Sequence, residues 1–577
     1  MRGCYRRKSS IDGRDGQWPI CDAKPHSGSD RVGSVESPRR RRDLLYSRGP
    51  PDRKTLESIV STKLGLLEGS DDGGIHAFKG IPFAKPPTGD LRFRAPEPFE
   101  PWTGVRSARD YGFSAPQVGP VNRLIRRVIA VSGSRQSQDC LYLNVWTPGC
   151  DGARRPVMFW IHGGAFILGS GSTSMYDGTR LARAGDVVVV TINYRLGALG
   201  FLSWKEIASS ADHPPANLGT RDQIAALEWV RDNIEAFGGD PENVTVFGES
   251  AGAMSTGTLL GIPRARALFH KAILQSGAAH NVSRERKSAR AARYFAEALD
   301  VERFDLETMQ KVSVTDLLAA QMQTSMMIGL DDGLMAWQPC VDGDLIPEQP
   351  LEAIARGDAA DIPLLIGTNR DEFKLFTFTD RDRLDDATLV ERVHRIAERC
   401  DAGDLEVERL ADKLMSTYGP SVGSRDRGAS QRWVAMMGDR IFHYPAVCLA
   451  DAHAVHQPRT FSYRFDWSPP LLGRSIGACH GLDLPFVFGG VRGTLFRAGL
   501  AIDRHAGRLC DEMQRAWTNF ARTGEPHGGD EREWPAYEQK RRSTRMLGPK
   551  SRVVKDPHEA ARRFWAPLIP DGEVRIR

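Results

Sequence analysis

The chain has 577 residues, of which 41% are hydrophobic and 26% are charged, and its formal net charge is +5. This composition is ordinary for a soluble globular protein. No stretch approaches the roughly 18 consecutive apolar residues of a membrane span, so we expect no stable membrane association. The length leaves the number of domains open, because large α/β enzymes also reach this size as one unit.

Most of the excess positive charge lies in residues 1–54, which carry 14 Lys and Arg against 7 Asp and Glu. The rest of the chain carries 64 basic against 66 acidic side chains, so a nucleic-acid role would depend on the run Arg39–Arg42. Such a run is usually a solvated segment, and the tail has few residues that it could bury. We therefore expect a disordered basic tail over residues 1–54, a catalytic domain over residues 55–577 and no nucleic-acid partner.

The first residues also bear on the cellular compartment. They lack the apolar core of roughly 7 to 15 residues that a secretory signal needs, and nine cysteines without regular close spacing predict neither a zinc site nor a disulfide framework. We expect reduced thiols in a cytoplasmic protein. Secretion stays open if the true start lies downstream of Met1.

The folded part begins with β-type sequence. Alternation over Val60–Leu67 and Ile75–Phe83, with Gly73-Gly74 between them, predicts a small hairpin or edge sheet. Prolines between residues 82 and 101 then exclude regular structure. Residues 111–137 form a polar, basic connection.

Stronger signals follow from Cys140 onward. The apolar runs Leu141–Trp146, Val157–Ile161 and Val187–Ile192 have strand length and are continuous, which is typical of strands covered on both faces. A helix is predicted over residues 217–239, with Thr220 and Gln223 as a capping box and two glycines at its end.

The second half continues this alternation of strands and helices. Further strands are predicted over Lys271–Gln275, Leu364–Thr368 and Arg459–Phe465, and an amphipathic helix over Glu512–Arg522. The order predicts an α/β fold with a large, mainly parallel sheet and helices on both faces. Helical insertions would then lie over the carboxyl edge of the sheet, where such proteins bind ligands.

One segment predicts a nucleophile. The β-branched and aromatic run Val244–Phe247 leads into Gly248-Glu249-Ser250-Ala251-Gly252, and a helix is predicted over Met254–Leu260. Strand, sharp turn and helix is the arrangement that exposes a nucleophilic serine. Two other Gly-x-Ser-x-Gly segments, around Ser421 and Ser475, do not follow a buried strand, so the context selects Ser250.

A serine nucleophile needs a base, a carboxylate that orients the base, and donors for the oxyanion. The glycine-rich turn His162–Phe166 follows a strand and can supply backbone donors. Asp371 and Glu372 both follow the strand Leu364–Thr368, and spacing alone does not choose between them. His480 lies in a loop of small residues, and the order nucleophile, acid, base is that of α/β-hydrolases.

Several separate segments, together with the Ser250 pentapeptide, resemble one family, the type-B carboxylesterases, which include bacterial enzymes of the para-nitrobenzyl esterase type. The matching positions run from about Thr62 to Trp565 and include Phe78–Ala84, Asp139–Val145, Asn193–Gly197, Gln275–Gly277 and Ala516–Ala521. The resemblance implies an α/β-hydrolase fold with helical insertions over the active site. It also implies hydrolysis of small-molecule carboxylic esters through an acyl-enzyme, with no metal and no organic cofactor.

The resemblance also assigns residues. It implies Ser250, Glu372 and His480 as the catalytic triad. It implies that the oxyanion hole consists of the N–H groups of Gly164, Ala165 and Ala251. Ser276 matches a serine that supports the acid and the base from behind. Glu249 matches a glutamate that faces the site, and a purely structural hydrogen bond at the turn is the equal alternative.

Three departures from the family pattern are visible. Secreted relatives pair the cysteine matching Cys140 with one that precedes a Pro-Gln dipeptide, but here Ala115 stands before that dipeptide. Cholinesterases of this family carry a choline-binding Trp shortly before the segment that matches Asp139-Cys140. Residues 118–138 contain no Trp, so choline esters are not the expected substrates. Ala165 replaces the third glycine of the oxyanion motif, as in many bacterial members.

Other activities stay open at this stage. The same machinery would hydrolyse amides or carbamates, and a lipase would need an apolar lid, which the polar connection over residues 111–137 does not favour. A non-catalytic interaction protein of the same family would usually lack a triad residue. The natural substrate, the acyl and alcohol size preference and the oligomeric state are not readable from the sequence.

Overall fold

The computed structural model describes residues 58–119, 135–209, 213–301, 303–332, 335–377, 384–398, 404–419, 428–470, 473–492, 504–530 and 532–568. The expected tail and its boundary with the catalytic domain lie outside these residues, as do most of the 111–137 connection and Ser421. Those expectations stay predictions.

Fourteen strands are formed by the described residues. They are β1 (Ile59–Thr62), β2 (Gly65–Glu68), β3 (Ser70–Asp71), β4 (His76–Pro82), β5 (Val105–Ser107), β6 (Tyr142–Thr147), β7 (Arg155–Ile161), β8 (Val188–Ile192), β9 (Gly239–Glu249), β10 (Lys271–Gln275), β11 (Leu364–Asn369), β12 (Thr460–Phe465), β13 (Ser543–Leu547) and β14 (Arg552–Lys555).

The helices are concentrated in the second half of the chain. The α-helices are α1 (Thr179–Gly185), α2 (Gly197–Phe201), α3 (Leu218–Asn233), α4 (Ala251–Leu260), α5 (Pro263–Arg266), α6 (Glu285–Leu299), α7 (Leu306–Lys311), α8 (Val314–Asp332), α9 (Pro350–Ala355), α10 (Asp386–Glu398), α11 (Asp404–Thr417), α12 (Ala429–Gly438), α13 (Tyr444–His453), α14 (Gly473–Ile476), α15 (Leu484–Val487), α16 (Arg504–Thr523) and α17 (Glu559–Trp565). Single 3-10 turns occur at Gly89–Leu91, Ser174–Tyr176, Ile234–Phe237, Glu372–Leu375 and Gly490–Arg492, and a π-helix at Asp439–His443. No helix of the described ranges is both long and apolar enough to cross a bilayer.

Eleven strands form one mixed sheet in the order β14-β13-β12-β11-β10-β9-β7-β8-β6-β4-β3. Every pairing from β13 to β8 is parallel, whereas β14, β6, β4 and β3 pair antiparallel at the two sides. The predicted α/β fold with a mainly parallel sheet is therefore confirmed for the centre. Because neighbouring parallel strands end at the same edge, the residues after β7, β9 and β11 are brought together.

The central strands carry continuous apolar runs because both faces of the sheet are covered. In β7, Val157, Phe159 and Ile161 face one hydrophobic core, and Met158 and Trp160 face another on the opposite side. Helix α3 belongs to the first core and helix α16 to the second. Helices on both faces explain why these strands were recognisable as continuous apolar runs.

The predicted small hairpin or edge sheet at the start of the folded part is present, although the two predicted segments belong to different sheets. Gly73-Gly74 lies between the antiparallel strands β3 and β4 at the edge of the large sheet. A turn at residues 63–64 divides Val60–Leu67 into β1 and β2, which pair with β5 in a separate three-stranded sheet. One local prediction was wrong. The predicted capping box is absent, since Asn217 is the N-cap of α3 and makes no side-chain cap bond. Gln223 instead donates to Ser255 Oγ at 3.0 Å, so a tertiary partner replaces the local one.

Candidate active site

Ser250 lies between the end of β9 and the start of α4, at φ 57° and ψ −125°. A positive φ is costly for a residue with a side chain and persists only where its surroundings hold it. The N–H of Ser250 donates to the carbonyl of Gln275 at 2.9 Å, and its own carbonyl accepts from the N–H of Met254 at 2.9 Å. The neighbouring strand β10 and the following helix α4 therefore fix the turn that the sequence predicts.

The two glycines of the pentapeptide let these elements approach closely. A Cβ on Gly248 would lie 2.4 Å from the carbonyl carbon of Gly252, and a Cβ on Gly252 would lie 2.0 Å from the oxygen of Ile161. Both distances are far below van der Waals contact. Glycine is therefore required at both positions for β7, β9 and α4 to meet at Ser250.

The carboxylate beside His480 belongs to Glu372. Its Oε2 lies 2.7 Å from His480 Nδ1, and its Oε1 accepts the N–H of Asn369 at 2.7 Å. Asp371 points elsewhere, because its Oδ2 accepts the N–H of Ala478 at 2.9 Å and pairs with Arg370. The tertiary structure thus separates two adjacent acids that spacing could not.

The imidazole of His480 is buried and held on several sides. The rings of Phe376 and Phe442 pack against it with centroids at 5.3 and 4.7 Å. Its Nε2 lies 3.2 Å from Glu249 Oε1, but neither atom makes a hydrogen bond to a described residue. A hydrogen bond between Ser250 and His480 is therefore not formed among the described residues.

Glu249, the residue directly before Ser250, also lies beside His480. Burial raises the pKa of the Glu249 carboxyl, against the attraction of His480. Burial would lower the pKa of His480, but the charges of Glu249 and Glu372 outweigh it and raise the value. The approach of Glu249 Oε1 to His480 Nε2 at 3.2 Å favours the site-facing interpretation over a purely structural one, and the role of Glu249 stays a prediction.

The predicted donors come from two turns. Gly164 and Ala165 have φ values of 120° and 54°, and Ala251 is the first residue of α4. The N–H groups of Gly164 and Ala165 donate to no acceptor among the described residues, and the first N–H groups of a helix lack intrahelical acceptors. A Cβ on Gly163 would lie 3.0 Å from Ser250 Cβ, so the glycine turn adjoins the serine.

Ser276 is placed less clearly than the resemblance implies. It is fully buried at the end of β10 with φ 55°, and its N–H donates to the carbonyl of Gly367 at 2.8 Å. Its hydroxyl makes no hydrogen bond to a described residue. Among the described residues this hydroxyl therefore makes no hydrogen bond to Glu372 or His480, and its supporting role stays a prediction.

A buried polar network behind His480 was not found from the sequence. Asp483 Oδ2 accepts from Gln275 Nε2 at 2.7 Å, and its Oδ1 accepts from Asn369 Nδ2 at 3.2 Å. Trp517 Nε1 donates to Gln275 Oε1 at 3.0 Å. Burial raises the pKa of Asp483. Gln275 and Trp517 belong to the resembling segments Gln275–Gly277 and Ala516–Ala521, which were the signals in the sequence that pointed to this network.

The central sheet, the strand–serine–helix turn and the His–Glu pair at the carboxyl edge define an α/β-hydrolase. The model of the family described as "Carboxylesterase family" matches residues 56–565. The chain therefore belongs to the carboxylesterase family and is a carboxylic ester hydrolase.

Individual relatives agree with this assignment. The chain is 41% identical to the para-nitrobenzyl esterase of Bacillus subtilis, over 88% of this chain and 98% of that protein. It is 35% identical to the phenmedipham hydrolase of Pseudarthrobacter oxydans, over 83% and 92%. A solved thermophilic PNB esterase superposes with a TM-score of 0.76 at 40% identity, covering 88% of this chain and 99% of that one.

Proposed function

We propose that Ser250, His480 and Glu372 carry out ester hydrolysis as a catalytic triad. His480 takes the proton of Ser250 as its oxygen attacks the ester carbonyl, and Glu372 stabilises the imidazolium. His480 then protonates the leaving alcohol, and water repeats the sequence on the acyl-enzyme. The chemistry needs no metal and no organic cofactor.

The observation that carries this proposal is the 2.7 Å hydrogen bond between His480 Nδ1 and Glu372 Oε2. It sets the imidazole so that Nδ1 faces the carboxylate and Nε2 faces the Glu249–Ser250 turn. In the proposed reaction Nε2 accepts the serine proton after a small adjustment, as is common when the substrate is absent.

The N–H groups of Gly164, Ala165 and Ala251 form the proposed oxyanion hole. They come from turns that adjoin Ser250, and backbone donors already fixed in place need no rearrangement as the charge develops. The side chain at Ala165 does not alter this role, because only its backbone would contact the substrate oxygen.

We further propose a small-molecule carboxylic ester as the substrate and the cytoplasm as the location. Cys140 is a buried free thiol and Ala115 occupies the position of its partner in secreted relatives, which supports that location. Similar proteins are named for different substrates, among them para-nitrobenzyl esters, phenmedipham and cocaine. Hydrolysis of amides or carbamates at the same site is the alternative to test.

Labelling with a fluorophosphonate followed by peptide mapping tests the nucleophile. We expect the adduct on Ser250, and Ser250→Ala should lose at least about 10³-fold in kcat, by analogy with other serine hydrolases. Ser475→Ala, in a second Gly-x-Ser-x-Gly segment, is the matched control and should keep its activity. An adduct on Ser421 or Ser475 would overturn the assignment.

The substrate class is tested with p-nitrophenyl acyl esters of increasing length beside the matching anilides and carbamates. We expect kcat/KM to be highest for an ester. A higher value for an anilide or a carbamate would replace the ester assignment while leaving the triad in place.

A further inference from the structure

The π-helix Asp439–His443 lies beside the two residues proposed as base and acid. Phe442 packs on the ring of His480, and the next residue, His443, reaches the end of β11. A π-helix is a rare distortion that occurs often at functional sites. Here it turns two consecutive side chains toward different parts of the same site.

The ring of His443 is nearly buried, with 7% of the side chain exposed, and both of its nitrogens have partners. Nδ1 lies 2.7 Å from Asp439 Oδ1, and Nε2 lies 2.8 Å from the carbonyl oxygen of Asn369. Both partners are acceptors, so both nitrogens donate and the ring is an imidazolium. Burial opposes this charge, but the hydrogen bond to Asp439 raises the pKa of His443.

The side chains of Tyr418 and Trp565 in turn fix the carboxylate of Asp439. Its Oδ2 accepts from the hydroxyl of Tyr418 at 2.9 Å, and that hydroxyl accepts from Trp565 Nε1 at 2.9 Å. Tyr418, which directly follows α11, and Trp565, the last residue of α17, therefore hold the carboxylate that binds His443. The orientation of the imidazolium is set by groups outside the site.

Asn369 connects His443 to the proposed catalytic pair. Its carbonyl accepts from His443, its N–H donates to Glu372 Oε1 at 2.7 Å, and its Nδ2 donates to the carbonyl of Cys479 at 2.8 Å. Cys479 directly precedes His480. One residue thus positions both the acid and the loop that carries the base.

A metal site at the same place is not supported. Ligand atoms of Asp439, His443 and His558 lie within 4.8 Å of one another, a spacing that a metal ion could bridge. However, both nitrogens of His443 donate and both oxygens of Asp439 accept, so His443 offers no lone pair. The ring of His558 instead lies tilted against the ring of His443, with the two centroids 4.4 Å apart.

We propose that His443, oriented by Asp439, is a positioning residue that holds Asn369 and thereby aligns Glu372 and His480 for catalysis. The proposal rests on the proposed function and adds residues that the mechanism does not otherwise use. Misplacement of a catalytic group by about 1 Å can cost up to about 100-fold in rate. Loss of the hydrogen bond between His443 and Asn369 should therefore lower kcat and leave KM nearly unchanged.

The test compares His443→Gln with His453→Gln. His453 is a buried histidine of the adjoining helix α13 that bonds Thr460 Oγ1 at 2.7 Å. We expect His443→Gln to lower kcat for p-nitrophenyl acetate about 10-fold or more per active site titrated with a fluorophosphonate. The low-field proton resonance of His480 Nδ1 should shift or broaden in the same variant. His453→Gln should lower Tm but leave kcat per titrated site and this resonance unchanged.

A double variant supplies the rescue. In H443Q/D439N, an amide at position 439 can donate to the new amide oxygen at position 443, whose NH₂ group still donates to Asn369. We expect kcat to recover toward the wild-type value. If the single variant His443→Gln fails to fold, kcat is measured in the double variant instead. A wild-type kcat per titrated site in His443→Gln, or a loss that the double variant does not recover, would overturn the proposal.

Two further outcomes distinguish a failure of this proposal from a failure of the proposed function. Zn²⁺ that binds the wild-type enzyme but not His558→Gln would show a metal site and would also overturn the proposal. Labelling of the wild type away from Ser250 would instead refute the proposed function, so the two failures are distinguishable.

Discussion

Replacing Gly252 by alanine tests whether the close packing around Ser250 is required for catalysis. The added Cβ would lie 2.0 Å from the carbonyl oxygen of Ile161, whereas real Cβ contacts essentially never fall below 3.0 Å. Helix α4 and strand β7 must therefore separate by at least about 1 Å. Because the obstacle is backbone, a side-chain rotation cannot relieve it.

A displacement of this size at the start of α4 moves Ser250 and the N–H of Ala251 together. We expect Gly252→Ala to lose about 100-fold in kcat/KM, or about 2.7 kcal/mol of transition-state stabilisation. The assay is hydrolysis of p-nitrophenyl acetate, normalised to folded protein and accompanied by a thermal unfolding scan.

The matched control is Gly507→Ala. Gly507 lies in helix α16, where a Cβ would meet nothing within 4 Å. Alanine there should keep activity and raise stability, since it stabilises a helix by up to about 1 kcal/mol relative to glycine. Wild-type kcat/KM and Tm in Gly252→Ala would refute the packing argument.

Two further substitutions test the electrostatics of the site. In Glu372→Gln the amide oxygen still accepts the N–H of Asn369, so the NH₂ group faces His480 and forces the imidazole into the wrong tautomer. The kcat should therefore fall by about 10⁴-fold, by analogy with a triad acid. Asp371→Asn should lower kcat far less. Steady-state kinetics check both variants, and equal losses would contradict the assignment of the acid. Glu249→Gln removes a carboxylate that raises the pKa of His480, and catalysis needs neutral imidazole, so the acidic limb of the kcat/KM profile should move to lower pH. A limb that does not move would mean that Glu249 is uncharged over that range.

Local patterns predicted much of the framework. The strand Lys271–Gln275 was predicted with the bounds that the structure has, and the predicted turn at Ser250 is present. Such features depend on apolar runs and on glycines beside a strained residue, which are visible within about ten positions. The antiparallel pairing of β6 with β4 and β8 depends on distant segments, and it was missed. The division at residues 63–64 was also missed, although a local turn joins β1 to β2.

The sequence alone determined the strand–serine–helix turn and the order of the chemical groups, because neighbouring residues specify backbone conformation. Spacing did not decide which of Asp371 and Glu372 faces His480; the family resemblance implied Glu372, and the tertiary structure shows its contact with the imidazole. Only the tertiary structure revealed that Asn369 and His443 lie behind that pair. Contacts between residues separated by about a hundred positions depend on how whole elements pack, and no local pattern records them.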